Sequence, residues 1–188
     1  MAKTQTKPKS KKSKPSARII VCRIERCLGC RSCEIACAVA HSASKELLGA
    51  LAEATPPQRR VRVEASGARA CAIQCQHCED APCIAVCPSG AIDRRDKGGP
   101  VLIDAERCIG CKFCVVACPF GAIEMSRDGR AVVKCDLCIE RTEAGQAPAC
   151  VSACPTKALV FITVEDYSKR KRQAAVRQLQ AAQEAGER

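Results

Sequence analysis

The chain has 188 residues, enough for one compact domain or two small lobes. It contains 18 cysteines but only 3 Phe, 1 Tyr and no Trp, and Lys and Arg outnumber Asp and Glu by 31 to 20 for a formal net charge of +11. Large apolar side chains are therefore too scarce to hold the core together alone. Disulfides, zinc or iron–sulfur clusters must supply part of the cohesion.

The first segment of the chain, residues 1–16, is rich in Lys, Pro and Ser and contains no acidic residue. It has no hydrophobic pattern, so we expect a disordered basic tail. We do not expect nucleic-acid binding, because a short tail without aromatic residues offers only nonspecific phosphate contacts. No apolar stretch of signal-peptide length follows this segment, and no Arg-Arg pair precedes one. We therefore expect a cytoplasmic protein. A reducing cytoplasm favours thiolate ligation of metals over disulfides.

Four blocks of closely spaced cysteines follow between residues 17 and 164. Block one is Cys27-x2-Cys30-x2-Cys33-x3-Cys37, and block two is Cys75-x2-Cys78-x4-Cys83-x3-Cys87-Pro88. Block three is Cys108-x2-Cys111-x2-Cys114-x3-Cys118-Pro119, and block four is Cys135-x2-Cys138-x11-Cys150-x3-Cys154-Pro155. The blocks use sixteen of the 18 cysteines.

The spacing within the blocks distinguishes between metals. Tetrahedral zinc needs two Cys-x2-Cys pairs and gives no reason for further cysteines at x2 and x3 before a proline. That run is typical of bacterial ferredoxins, in which three cysteines hold one [4Fe-4S] cluster and the fourth ligates the neighbouring cluster. Four blocks therefore predict four [4Fe-4S] clusters. A zinc-based nucleic-acid-binding protein is the weaker alternative.

The short β-like runs between blocks predict which blocks pair. Residues 91–94 and 100–103 flank a Lys-Gly-Gly turn and predict a hairpin that joins blocks two and three. The runs at 18–24 and 158–164 are then left to pair with each other. This nesting predicts an α+β fold of two bacterial-ferredoxin-like modules, the second split across the termini, with a C-terminal helix. Sequential pairing of block one with two and of three with four is the alternative.

The nested pairing predicts four ligand sets. Set A is Cys27, Cys30, Cys33 and Cys154; set B is Cys135, Cys138, Cys150 and Cys37; set C is Cys75, Cys78, Cys83 and Cys118; set D is Cys108, Cys111, Cys114 and Cys87. Cys22 and Cys71 lie outside the sets, and we interpret them as small buried or strand-face residues. The predicted domains are a tail at 1–16, a double ferredoxin-like four-cluster domain at 17–164 and a helical extension at 165–188.

Two segments carry a resemblance to a known family: Cys33-Glu34-Ile35-Ala36-Cys37-Ala38-Val39-Ala40-His41-Ser42 and Gln76-His77-Cys78-Glu79-Asp80-Ala81-Pro82-Cys83. With the four blocks, residues 17–164 resemble the soluble polyferredoxin electron-transfer subunits of molybdenum or tungsten oxidoreductases, hydrogenases and CO dehydrogenases. The resemblance also implies the nested pairing. It implies a large metal-containing catalytic subunit and a second redox subunit or soluble carrier as partners. A free-standing soluble polyferredoxin is the alternative.

Residues outside the cysteines give no sign of substrate chemistry. There is no Gly-x-Gly-x-x-Gly motif, no Walker lysine and no catalytic triad around either histidine. Arg31 and Lys112 lie inside Cys-x2-Cys loops and are candidates for tuning the reduction potential of a cluster. The alternative is that both are solvated surface charges. His77 could donate a hydrogen bond to cluster sulfur, against an interpretation as a packed ring, and His41 leaves the same choice open. We therefore expect an electron carrier and not an enzyme.

Two helices are predicted outside the blocks. Segment 42–56 has leucines at helical spacing and predicts a short amphipathic helix that covers the core or, alternatively, binds a partner. Near Thr163 a capping-box-like start opens an Ala-, Gln- and Arg-rich helix. This helix has few large apolar side chains and cannot bury much surface by itself. We therefore favour contact with another subunit, including self-association, over projection into solvent. No apolar run reaches the length of a membrane span.

Overall fold

A computed structural model describes residues 17–186, so the predicted tail at 1–16 lies outside the described residues. The helices are α1 (Ser32–Ala40), α2 (Leu47–Ala52), α3 (Pro82–Ala85), α4 (Phe113–Ala117), α5 (Ile139–Glu143), α6 (Ala149–Ser152) and α7 (Val164–Gly186). The strands are β1 (Arg18–Cys22), β2 (Val61–Ser66), β3 (Arg69–Gln74), β4 (Ile92–Arg94), β5 (Val101–Ile103), β6 (Ile123–Met125), β7 (Val132–Lys134) and β8 (Leu159–Thr163). The predicted α+β class with a C-terminal helix is confirmed.

The first and last strands of the described residues pair with each other. β1 is antiparallel to β8, with Arg18 opposite Thr163 and Cys22 opposite Leu159. Ile20 and Leu159 are buried beneath this ladder. Because β1 precedes the first cysteine block and β8 follows the last, the ladder brings the two ends of the cysteine-rich region together, and the predicted pairing of these runs is confirmed.

The three remaining sheets are hairpins in the described part of the chain. The predicted β4–β5 hairpin is present, with Ile92 opposite Ile103, and Gly98 turns the chain with a φ of +82° that suits glycine. The β2–β3 and β6–β7 hairpins were not predicted. β2 has an alternating pattern that could have revealed it, since Val61 and Val63 are buried while Arg62 between them is exposed.

Buried apolar residues form two clusters, and cysteines take the place of aromatic rings in both. The first cluster combines aliphatic residues such as Ile20 and Leu159 with five buried cysteines: Cys33, Cys37, Cys135, Cys150 and Cys154. The second combines Ile92, Val101, Ile123 and Val132 with Cys83 and Cys114. The sulfur sites therefore lie inside the core and are continuous with it.

The helix predicted in segment 42–56 is short, and its leucines do not cover the core. Leu47, Leu48 and Leu51 are 53%, 79% and 76% exposed, so the first of the two expectations, that this helix covers the core with its leucines, is wrong. Small residues occupy the packed side instead: Ala50 is buried, and a Cβ on Gly49 would lie 2.6 Å from that of Ser44. This close approach leaves no room for leucine on the inner face.

The long helix α7 begins directly where β8 ends. The Thr163 hydroxyl accepts from the Asp166 N–H at 3.1 Å, which is the Thr half of the capping box predicted from sequence, and it donates to the Asp166 carboxylate at 2.9 Å. Val176 and Leu179, further along the helix, are exposed. Among the described residues, no helix has both the length and the apolar character needed to span a membrane.

Candidate metal centres

The four cysteines of set C line one cavity. Cys75 and Cys78 come from the loop after β3, Cys83 from α3 and Cys118 from the end of α4. The cavity is also bounded by His77, Val101 and Ile123. Burial raises the pKa of Cys83, and the thiols of Cys75 and Cys118 are near enough to add to this effect. Residues from blocks two and three thus meet at one site.

The four cysteines of set D line a second cavity. Cys108 and Cys111 precede α4, Cys114 lies on α4, and Cys87 follows α3. Ile92 and Val132 form apolar parts of the wall. Helices α3 and α4 are in contact. As a result, the last cysteine of each of the two blocks lies with the first three cysteines of the other block.

The cysteines of sets A and B come together around α1, α6 and β8. Burial raises the pKa of Cys150 above its usual range, and its neighbours Cys135, Cys37 and Cys138 raise it further. The pKa of Cys30 is lowered chiefly by the Ser32 hydroxyl, and nearby Cys154 opposes that shift. Blocks one and four, far apart in sequence, are thus neighbours in space.

Backbone N–H groups point at the sulfur atoms of several of these cysteines. In blocks two and four the N–H two residues after the first cysteine donates to its Sγ, from His77 to Cys75 and from Leu137 to Cys135, both at 3.4 Å. In blocks three and four the N–H four residues after the last cysteine donates to its Sγ. The N–H of Ala122 lies 3.4 Å from Cys118 Sγ, and that of Ala158 lies 3.2 Å from Cys154 Sγ. Donors aimed at sulfur stabilise thiolates, the form that binds metal.

His77 provides a direct test of whether a cluster fits at set C. Its Nδ1 accepts a hydrogen bond from the Val101 N–H at 3.1 Å, whereas its Nε2 is buried without a partner among the described residues. Burial, reinforced by the charge of Lys134, lowers the pKa of His77 to about 3, so the ring is neutral and Nε2 carries the proton. An unpaired buried donor beside four cysteines suits a site filled by a sulfur-rich group.

A charged group flanks Cys37 of set B. His41 Nε2 donates to Asp136 Oδ1 at 3.1 Å, its Nδ1 lies 2.7 Å from the Cys37 carbonyl oxygen, and Arg60 also pairs with Asp136. Burial opposes protonation of His41, but the hydrogen bonds to Asp136 and Cys37 outweigh it and raise its pKa to about 9. Burial likewise opposes ionisation of Asp136, and His41 and Arg60 still hold its pKa well below the usual range.

Several candidates from the sequence occupy ordinary positions. Arg31 and Lys112 are exposed, and each begins a helix at positive φ, which agrees with their interpretation as solvated charges. Cys22 and Cys71 lie half-buried on β1 and β3, two strands of different sheets, which agrees with their interpretation as strand-face residues. Burial raises the pKa of Cys22 to about 12, so it is a neutral thiol.

The buried residue Lys134 at the end of β7 was missed by sequence reasoning. It is 4% exposed, and its ammonium donates to the Val101 carbonyl, to the Cys135 carbonyl at 3.3 Å and to Cys75 Sγ at 3.6 Å. A lysine in a strand is usually taken as solvent-facing. The signal that could have found it is the alternation in β7, where Lys134 shares the inward face with buried Val132.

Comparison with known proteins gives two family matches, both to iron–sulfur binding domains. Residues 68–164 match the family described as a 4Fe-4S dicluster domain, and residues 24–40 match a 4Fe-4S binding domain. An iron-sulfur protein of Rhodospirillum rubrum is 43% identical over 173 residues, which cover 86% of this chain and 90% of the relative.

Two further relatives are named for electron transfer. The electron transport protein HydN of Escherichia coli (strain K12) is 41% identical over 173 residues, covering 82% of this chain and 95% of the relative. The thiosulfate reductase electron transfer subunit PhsB of Salmonella typhi is 39% identical over 166 residues, covering 86% and 83%. The chain therefore belongs to the 4Fe-4S dicluster domain family, as its resemblance to polyferredoxins predicted, and it is an iron–sulfur protein with more than one [4Fe-4S] cluster.

Proposed function

We propose that the protein is an electron-transfer subunit that holds four [4Fe-4S] clusters, one on each of sets A, B, C and D. The observation that supports the proposal is the juxtaposition of blocks: sets C and D each line one cavity, Cys150 of set B lies near Cys135, Cys37 and Cys138, and Cys30 of set A lies near Cys154. The clusters supply one-electron redox chemistry when bound. The sequence offers no nucleophile or base arranged for substrate chemistry, so we propose a non-catalytic role.

Two ferredoxin-like modules organise the four sets in this proposal. Sets C and D belong to the module built around the β4–β5 hairpin and the second apolar cluster. Sets A and B belong to the module closed by the β1–β8 ladder and the first apolar cluster. Each block contributes to two sets of its own module, so A adjoins B and C adjoins D. Residues 17–164 then form the four-cluster domain between the tail and α7.

A linear order of sites A, B, C, D follows from the junction of the modules. Cys135 of set B and Cys75 of set C are close enough for Cys75 to contribute to the raised pKa of Cys135, whose main cause is burial. Lys134 contacts both residues. The protein's own residues would thus hold a chain of redox sites, with sets A and D at its two ends.

The proposed partners follow from this arrangement and from the named relatives. HydN is called an electron transport protein and PhsB an electron transfer subunit of thiosulfate reductase. We propose a large metal-containing catalytic subunit at one end and a second redox subunit or soluble carrier at the other. Thiolate ligands require reduced cysteines, which a reducing compartment maintains, so we propose that the complex lies in the cytoplasm. Helix α7 is proposed as an element that docks on another subunit.

Iron and sulfide analysis of the anaerobically purified protein tests cluster number. Four complete ligand sets predict about 16 Fe and about 16 sulfide per chain. About 8 Fe, or zinc in place of iron, would contradict the proposal. Copurification in fixed stoichiometry with a large metal-containing subunit would show that this protein is a subunit of a complex. Purification without such a partner would favour the alternative, a free-standing carrier.

Ligand sharing is tested by Cys154→Ala. If Cys154 completes set A, the variant either loses the cluster of block one, so that about 12 Fe remain, or keeps it in an altered form with a changed spectrum. Cys71→Ala, at a half-buried cysteine outside the sets, is the control and keeps full iron content. Sequential pairing of blocks predicts instead that the cluster of block three changes in Cys154→Ala, with block one unaffected.

A further inference from the structure

The backbone of Val101 lies where sets B and C approach each other. Its carbonyl accepts from the Lys134 ammonium, and its N–H donates to His77 Nδ1 at 3.1 Å. Val101, Lys134 and His77 are 1%, 4% and 9% exposed. The backbone of one buried residue thus holds two polar side chains from different parts of the chain in fixed positions beside set C.

The ammonium of Lys134 has three donors, and each has an acceptor. Besides the Val101 carbonyl, these are the Cys135 carbonyl at 3.3 Å and Cys75 Sγ at 3.6 Å. None of these partners in the described structure is a carboxylate. Burying a lysine in this way is costly unless negative charge lies close by. The thiolate of Cys75, and the negative charge of the site to which it belongs, meets that need.

The imidazole of His77 presents its second nitrogen to the same site. Because Nδ1 accepts from the Val101 N–H, the proton of the neutral ring resides on Nε2. Nε2 is buried and has no hydrogen-bond partner among the described residues. The residue lines the cavity bounded by Cys75, Cys78, Cys83 and Cys118. A sulfur atom of the group bound there is the acceptor that would satisfy this donor.

We propose that Lys134 and His77 raise the reduction potential of the cluster held by set C, the first through its positive charge and the second through its Nε2–H. The inference rests on the proposed function, since it takes set C as cluster ligands. One-electron reduction adds one negative charge to the site, and a cation or donor next to its sulfur atoms stabilises that charge. The electron is therefore held near the junction of the two modules.

The test is an EPR-monitored redox titration of the full-length, cluster-loaded protein. Lys134→Met removes the charge and keeps most of the length of the side chain, and Lys134→Arg keeps the charge. Lys97→Met removes an exposed lysine in the β4–β5 turn as a control. At a fixed potential we expect Lys134→Met to lower the reduced-to-oxidised ratio of one cluster at least tenfold, a shift of about 59 mV for one electron. Lys134→Arg and Lys97→Met should leave all potentials unchanged.

A second variant tests the imidazole donor. His77 has a φ of +49°, which Asn tolerates better than most residues, so His77→Asn is the variant least disturbed by the backbone. It removes the ring Nε2–H and should lower the potential of the same cluster that responds to Lys134→Met. Responses in two different clusters would overturn the assignment to set C.

Iron content separates the possible outcomes. A fully loaded Lys134→Met protein with unchanged potentials overturns the inference. If Lys134→Met loses iron while Lys134→Arg keeps its iron and its reduction potentials, a positive charge is required beside set C, which supports the inference. If both Lys134 variants lose iron, His77→Asn decides: a lowered potential supports the inference and an unchanged one overturns it. A wild-type protein without four clusters contradicts the proposed function itself.

Discussion

Glycine takes a specific place in the loops that carry the first cysteines of blocks one and three. Gly29 and Gly110 each precede the second cysteine of the block with a φ of +67°. This left-handed conformation turns the loop back on itself, so that consecutive cysteines face one site. A Cβ on Gly110 would lie 3.0 Å from the backbone carbonyl oxygen of Arg130, so the position is limited by space as well as by conformation.

Substitution of Gly110 separates these two limits. Gly129 has a φ of +70° and no atom within 4 Å of an added Cβ, so Gly129→Ala meets the backbone strain alone and should cost about 1 kcal/mol. Gly110→Ala adds the clash with Arg130 and should cost about 1–3 kcal/mol more. The denaturant midpoint for loss of the visible cluster absorbance measures both. Equal midpoints for the two variants would show that the close approach is unimportant.

At the scale of elements, α7 stands apart from the cysteine-rich region. It contains no cysteine, it begins after the last ladder strand, and it exposes Val176 and Leu179. A helix with so little tertiary packing gains most of its stability by docking elsewhere. Its basic residues at 169–172 favour an acidic surface on the neighbouring subunit.

Deletion of residues 168–188 tests this role. We expect unchanged iron content and cluster potentials, together with a smaller native mass or at least tenfold weaker assembly, about 1.4 kcal/mol. Full-length Val176→Ser/Leu179→Ser is the matched variant, because it keeps the helix and removes its exposed apolar side chains. Loss of iron on truncation would instead make the helix part of the cluster domain.

The elements that sequence reasoning found and missed share a physical explanation. The β1–β8 ladder was predictable because both runs are apolar and the hairpin between blocks two and three left them without other partners. The β2–β3 hairpin was missed because β3 contains the run Ala-Cys-Ala-Ile, in which apolar and polar residues do not alternate. The prediction for α2 was wrong because leucine spacing shows which residues share a helix face but not how much space that face has against the core. Here Gly49 and Ser44 approach each other too closely for large side chains. Lys134 was missed because burial of a charge depends on partners far away in sequence.

At the scale of the whole molecule, the core depends on what the cysteines bind. Five of the buried residues in the first apolar cluster are cysteines, and burial raises the pKa of thiols such as Cys33 and Cys138 to about 11. Without iron these side chains are small neutral thiols around the space that a cluster would fill. Aromatic residues that could fill such space are rare in this sequence.

Removal of the clusters should therefore remove cooperative structure. We expect the anaerobically prepared, reduced apoprotein to give no sharp heat-absorption peak in calorimetry, because metal binding supplies much of its folding free energy. The cluster-loaded protein in the same buffer provides the reference. A cooperative transition in the apoprotein would mean that the aliphatic clusters suffice for folding.

The β1–β8 ladder also has a consequence for the order in which the protein matures on the ribosome. Synthesis runs from the N-terminus, and the ligands proposed for sets C and D are all present once Cys118 has been made. Set A, although it begins with the first block, stays incomplete until Cys154 appears, and β1 has no partner until β8 follows. Contacts between such distant residues form slowly. The half of the molecule that is begun first is therefore finished last, and the cysteines of block one wait as unligated thiols until the chain is nearly complete.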